Sequence, residues 1–138
     1  MKGILSFMLI LLYFVPVIVG IVGFSEMQQE KAEVRGIWEQ VLREMSAEGY
    51  LSPSVKNHYT QVLQKRGYSQ GTPFFVASHV TSSSRAIRPQ HGEFTSSQNQ
   101  VTLTIQVEPT PWVRAIVFLH GEKTTFKFTG TMISEYIP

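Results

Sequence analysis

The side chains able to do nucleophilic or acid–base chemistry in this 138-residue chain are few, because it contains neither cysteine nor aspartate. Without a thiol there is no thiolate nucleophile, no thiolate metal ligand and no disulfide. Of the four histidines, His58, His79, His91 and His120, no two have the HxxxH or HExxH spacing that puts two imidazoles on one helix face around a metal. His79 lies just before Ser82, Ser83 and Ser84, the one place where a base and a hydroxyl stand close in sequence. No third group orients them, and a serine run is first of all a loop. Nor does a glycine-rich phosphate loop open a helix, since Gly67 and Gly71 frame a turn into an extended segment. These residues predict a non-enzymatic protein with no cofactor and no metal site.

Charge narrows the partners. The 12 Lys and Arg residues are scattered, with no run longer than Lys65-Arg66, so they do not form the clustered footprint of a nucleic-acid binder. All 10 acidic residues are glutamates, and Glu26, Glu30, Glu33, Glu39, Glu44 and Glu48 fall within one segment. They read as the solvated surface of a helix. Arg85, Arg88 and His91, with Lys65-Arg66, offer at most a weak anionic contact surface, and ordinary solvated surface is the simpler reading.

The element that dominates the chain is apolar. Residues 4–24, from Ile4 to Phe24, contain no charge. At ~1.5 Å per residue they reach about 31 Å, matching a hydrocarbon core of roughly 30 Å. This predicts an uncleaved single-pass transmembrane helix. A cleaved secretory signal is the rival, with Gly20 and Gly23 as small residues for a cleavage site, but the apolar run exceeds the usual length of such a signal. Pro16 removes the backbone bond to Leu12 and predicts a kink that a membrane helix tolerates. Pro16, Gly20 and Gly23 also outline a notch where a partner helix can approach closely. Counting cations near the span favours a head inside the cell. The tail before the span is short, however, and long domains translocate largely regardless of charge, which favours a head outside.

Beyond Phe24, Val34, Ile37, Trp38, Val41, Leu42 and Met45 keep the spacing of one helix face, predicting an amphipathic stalk over residues 25–48. It either continues the apolar helix or restarts at Ser25 as an N-cap. The stalk face suits packing against neighbouring subunits, and equally suits packing on its own head. Gly49 supplies a stop, and Ser52-Pro53 supplies an N-cap with proline at the first helical position. A second short helix follows and ends at Gly67, antiparallel to the first.

From Thr72 onward the texture is β. Residues 74–81 form one expected strand, and the alternation of Val101, Leu103, Ile105 and Val107 with Thr102, Thr104 and Gln106 marks the clearest one. Residues 82–99 read as an exposed loop. Residues 112–119 are almost wholly apolar and read as a buried strand or a short helix; length and β-branched content favour a third strand, with a turn at His120-Gly121. Phe126 and Phe128 begin a fourth that continues through Gly130 toward Tyr136. The fold class expected is α+β: residues 1–24 form the tail and transmembrane helix, 25–48 the stalk, and 49–138 a small head with an antiparallel sheet of about four strands.

With this plan in place the sequence resembles pilins and pseudopilins of the type IV and tight-adherence kind, in particular TadE-like proteins and their relatives in pilus and conjugation loci of Gram-positive bacteria. The stretches that carry the resemblance are Met1-Lys2-Gly3 followed by Ile4, Val15-Pro16-Val17 with Gly20, Arg43-Glu44-Met45, Glu48-Gly49-Tyr50-Leu51-Ser52, and residues 130–136. It implies peptidase cleavage after Gly3, leaving Ile4 as the mature amino terminus. It also implies a filament or pseudopilus built by lateral packing of the apolar helices, with the lipid bilayer and other pilin-like subunits as partners. The chain departs from the family pattern at Met8, Leu9 and Ile10, where the family's early acidic residue is absent. A membrane-anchored extracytoplasmic binding module, using the 82–99 loop, is the second class of function consistent with this layout.

Overall fold

The computed structural model describes the backbone of residues 2–68, 74–93, 96–119 and 125–138, and the side chains of all of these except 117–119. Helix α1 (Lys2–Glu48) is a single element of 47 residues, about 70 Å long at ~1.5 Å per residue. No second helix starts at Ser25. With neither Pro nor Gly between Ser25 and Arg35, nothing interrupts the ladder, and the helix also runs through Pro16 and Gly36. The two halves of α1 meet different surroundings. Every large apolar side chain from Ile4 to Phe24 is exposed, whereas Val34, Ile37, Val41, Leu42 and Met45 are buried.

The second half of α1 is buried because a sheet and a second helix close over it. Ser52 is extended (φ −70°, ψ 146°), its Oγ accepts the Val55 N–H at 3.4 Å, and Pro53 opens α2 (Pro53–Lys65). This is the cap expected of a Ser-Pro pair. Helix α2 returns antiparallel along α1, so that its start meets the end of α1 and its end meets the middle. Tyr59 donates to the Glu44 carboxylate at 2.7 Å, and Arg66 pairs with Glu33, to which Tyr68 donates at 3.0 Å.

Strands β1 (Phe75–Ala77), β2 (Gln100–Val107) and β3 (Phe126–Ile133) form one antiparallel sheet in the order β1-β2-β3, with Phe75 opposite Ile105 and Ile105 opposite Phe128. Alternation sorts its faces. Val101, Leu103, Ile105 and Val107 point into the core against α1. On the outer face Thr102 bonds Thr131 at 2.9 Å and Thr104 bonds Thr129 at 3.0 Å, the cross-strand pairing expected of a solvated face. Trp38 crosses from α1 to this sheet and donates its indole N–H to the Leu103 carbonyl at 3.1 Å. Gly130 makes room for it, because a Cβ there would lie 2.6 Å from Trp38 Cζ2.

Among the described residues the sheet has three strands where the sequence suggested about four, because residues 112–119 are helical. Helix α3 (Pro111–Leu119) is a correction to the strand expected there, and its cause is local. Thr110-Pro111 repeats the Ser52-Pro53 pattern, and the Arg114 N–H donates to the Thr110 carbonyl at 2.9 Å. The Glu30 carboxylate accepts both the Thr110 N–H, at 3.2 Å, and the Thr110 hydroxyl. A negative charge is thereby placed at the positive end of the α3 dipole. The turn expected at His120-Gly121 lies outside the described residues.

Three of the six stalk glutamates, Glu30, Glu33 and Glu44, thus tie α1 to the rest of the head instead of forming a purely solvated face. This has a consequence for alkaline stability. The Tyr59 phenol is pushed up to about 12, first by its hydrogen bond to Glu44, then by burial and the Glu44 charge. Tyr68 is pushed up to about 12, first by burial and then by the Glu30 charge, with Arg66 opposing. In the unfolded chain both ionise near ~10. Between these values the unfolded state has lost protons that the folded state keeps. The contribution to stability is therefore complete below about pH 10 and is lost as pH rises toward about 12. Denaturant midpoints should fall over this window, and the double substitution Tyr59→Phe, Tyr68→Phe should flatten the fall.

Candidate membrane and assembly surface

The first half of α1 is a rod of apolar side chains with none of the described residues of its own chain around most of it. Leu12, Tyr13 and Ile4 are 74 %, 71 % and 68 % exposed. Soluble monomers rarely expose contiguous apolar patches larger than a few hundred Å², so this surface calls for a cover. The helix is long and apolar enough to cross a membrane, a test that a signal sequence near an amino terminus also passes.

The structure separates the site residues read from the sequence into three groups. Gly3 and Ile4 lie in the exposed first turn, where a Cβ on Gly3 would meet nothing within 4 Å. Pro16 and Gly20, with Val17, Ile21 and Phe24, line a shallow apolar groove of about 440 Å³ on the free part of the rod. Gly23 has a different fate from the one its spacing suggested. It is buried by its own chain, and a Cβ there would lie 2.3 Å from Ile116 Cγ2 of α3. Val34, Ile37, Trp38, Val41 and Leu42 are likewise occupied: four are buried in the core of the head and Trp38 packs against it. Of the two uses open to the stalk face, the structure shows packing on its own head. What remains uncovered for lipid or another helix is residues 4–22 and Phe24.

At the opposite end of α1 the chain forms a polar groove of about 700 Å³ lined by Ser78, His79, Arg85, Arg88, Glu93 and Asn99 among others. Its wall is built by stacking: the Arg85 guanidinium lies 4.7 Å from the ring centroids of both Tyr50 and Tyr136, a cation held between two π faces. Nothing in the sequence joined these three residues, which come from the α1–α2 turn, the long loop and the C-terminal tail. The His79 and serine combination is also resolved. His79 Nδ1 shares a 2.8 Å hydrogen bond with Ser78, whose hydroxyl accepts the Thr102 N–H at 2.9 Å, while Ser83 and Ser84 bond to Thr81. Ser78 is thereby engaged in holding the loop to the sheet. Among the described residues no group of three metal-ligating side chains converges.

In comparison with known proteins, no family model, no curated protein and no solved structure matches this chain.

Proposed function

We propose that this chain is a non-enzymatic, pilin-like subunit that is held in the cytoplasmic membrane by the first half of α1, with its head outside. It assembles through the same apolar surface into a surface pilus, secretion or conjugation apparatus. The observation that carries this reading is the unbroken α1, whose apolar first half stands free while its second half is fixed in the head. Such a helix can exchange lipid contacts for helix contacts without exposing apolar surface to water. The groove at Pro16 and Gly20 supports this use, since small residues let backbones approach. Packing of Ile116 on Gly23 supports retention of the helix, because removal up to Gly23 would strip α3 of the surface it rests on.

The chain has no cysteine of its own, so cysteine pairs scanned over residues 12–24 can be oxidised in native membranes on a clean background. The expected result is a ladder of cross-linked multimers from pairs on the Pro16–Gly20 side, together with an intact mass lacking residues 1–3. Monomers from every pair, with residues 1–3 retained, would overturn the assembly reading.

A second reading rests on the polar groove, which presents Arg85, Arg88 and His79 at the end of the head farthest from the apolar rod. A membrane-anchored binding module would show saturable binding of a partner protein or cell-wall polymer by a monomeric head.

A further inference from the structure

We infer that α3 is a second membrane contact, a short helix whose start lies at headgroup depth beside the point where α1 enters the bilayer. The inference rests on the membrane reading of α1 but not on assembly into a filament.

Placement comes from two contacts. Thr110, just before α3, bonds to Glu30, and Ile116, about one and a half turns into α3, sits on Gly23. Helix α3 therefore runs antiparallel to α1 and toward the apolar segment. Interpolating between the contacts puts Trp112 three or four residues beyond Phe24 on α1, about 5 Å outside the apolar segment at ~1.5 Å per residue. That is headgroup depth, given roughly 5–7 Å of polar region on each side of the hydrocarbon core.

The chemistry of the exposed side fits that depth. Val113 and Ile116 are buried, while Trp112 is 58 % exposed and shares the outward side with Ala115. Tryptophan prefers the bilayer interface because its large ring is apolar and its N–H remains wet. Arg114, the single charged residue in α3, bonds the Pro109 carbonyl at 3.3 Å and pairs with Glu108 at 3.7 Å. It reaches toward the start of α3, away from the apolar segment, as a cation snorkelling from an interface would. Ile116 seats α3 on Gly23, next to the exposed Phe24 of the rod, and that adjacency commits the occupant to lipid. A second copy of the chain is an outcome of the test.

The full chain and Trp112→Phe would be reconstituted in vesicles of phosphatidylcholine and phosphatidylglycerol, with bromine placed on the acyl chain near the headgroup or near the terminal methyl. Trp112 and Trp38 are the two tryptophans, and Trp38 is held in the head, so the difference between the two proteins isolates Trp112. We expect this difference emission to be blue-shifted and roughly halved by bromines near the headgroup, with a weaker effect from deep bromines. The residual Trp38 emission should be unaffected. Protein that floats with the vesicles but whose difference emission is unquenched overturns the inference and leaves α1 anchoring intact. Burial of Trp112 against a second copy gives that same unquenched result, with a blue shift that vanishes on dilution in lipid. Failure to float overturns both.

Discussion

Gly49→Ala is expected to destabilise the head by about 2–4 kcal/mol, from the cost of the left-handed backbone and of overpacking together. For a domain of this size each kcal/mol is roughly 4–8 °C of Tm. Gly49 follows α1 with φ +80°, a conformation that side chains rarely adopt. Its N–H donates to Met45 at 2.7 Å and its carbonyl accepts from Ala86 at 2.8 Å, so the residue both ends the helix and fixes the loop strand beside it. An added Cβ would stand 2.4 Å from the Ala86 carbonyl oxygen and 3.2 Å from Tyr136 Cβ. Relief requires the backbone at Ala86 to move, and Ala86 is fully buried, with its carbonyl also accepting from Ser134 at 2.7 Å. The Arg85 clamp between Tyr50 and Tyr136 would open with it, so the polar groove should lose its shape at the same time. Gly36→Ala is the control of opposite sign. It lies inside α1, where an added methyl would meet nothing within 4 Å, and should stabilise by up to about 1 kcal/mol through helix propensity alone. Thermal or denaturant unfolding of both variants decides the matter. Equal stability in the two would mean that the Gly49 turn is not as tight as its contacts require.

What could be read from the sequence was local, and what could not was set by partners distant in the chain. Ser52-Pro53, Gly49 and the alternation through residues 101–107 each carry their own geometry, and all appear where expected. The apolar run and the stalk periodicity name two helical segments but leave open whether they join at Ser25, and the fold shows them as one helix. The error at residues 112–119 shows the limit. Val113, Ile116 and Val117 argue for a strand by propensity, but Thr110-Pro111 is a helix start, and the Glu30 carboxylate that completes it comes from 80 residues away. Thr110-Pro111 carries the same helix-start signal as Ser52-Pro53, and it is the signal in the sequence that marks α3. Gly130 carried no such signal, since its need for a missing side chain depends on Trp38 crossing from α1. The Tyr50, Arg85 and Tyr136 clamp is equally invisible, because three separate segments meet only when the C-terminal tail folds over the end of α1, where the Glu135 N–H donates to the Ser46 carbonyl at 2.9 Å. The exposed apolar surface was legible as composition, but its extent was not. Only the fold shows that the stalk face and Gly23 are already occupied.

The boundary between rod and head should appear most sharply on truncation. A chain beginning at Gly20 is expected to be folded and soluble without detergent, whereas one beginning at Gly49 is expected not to fold. The first cut removes exposed residues and keeps Gly23 under Ile116 and Glu30 against Thr110. The second removes Val34, Ile37, Val41, Leu42 and Met45, each no more than 7 % exposed. Burial of these side chains contributes roughly 8–15 kcal/mol at about 1.5–3 kcal/mol each, comparable to the whole stability of a small domain, about 5–15 kcal/mol. It also removes the face that covers Val101, Leu103 and Ile105, leaving a three-stranded sheet with its apolar side in water. Far-UV circular dichroism with a cooperative melt distinguishes the two fragments. A cooperative transition in the fragment beginning at Gly49 would mean that the stalk is a separable spacer. Its absence there, beside a sharp transition in the fragment beginning at Gly20, would mean that one helix serves both as the central column of the head and as the rod that carries it.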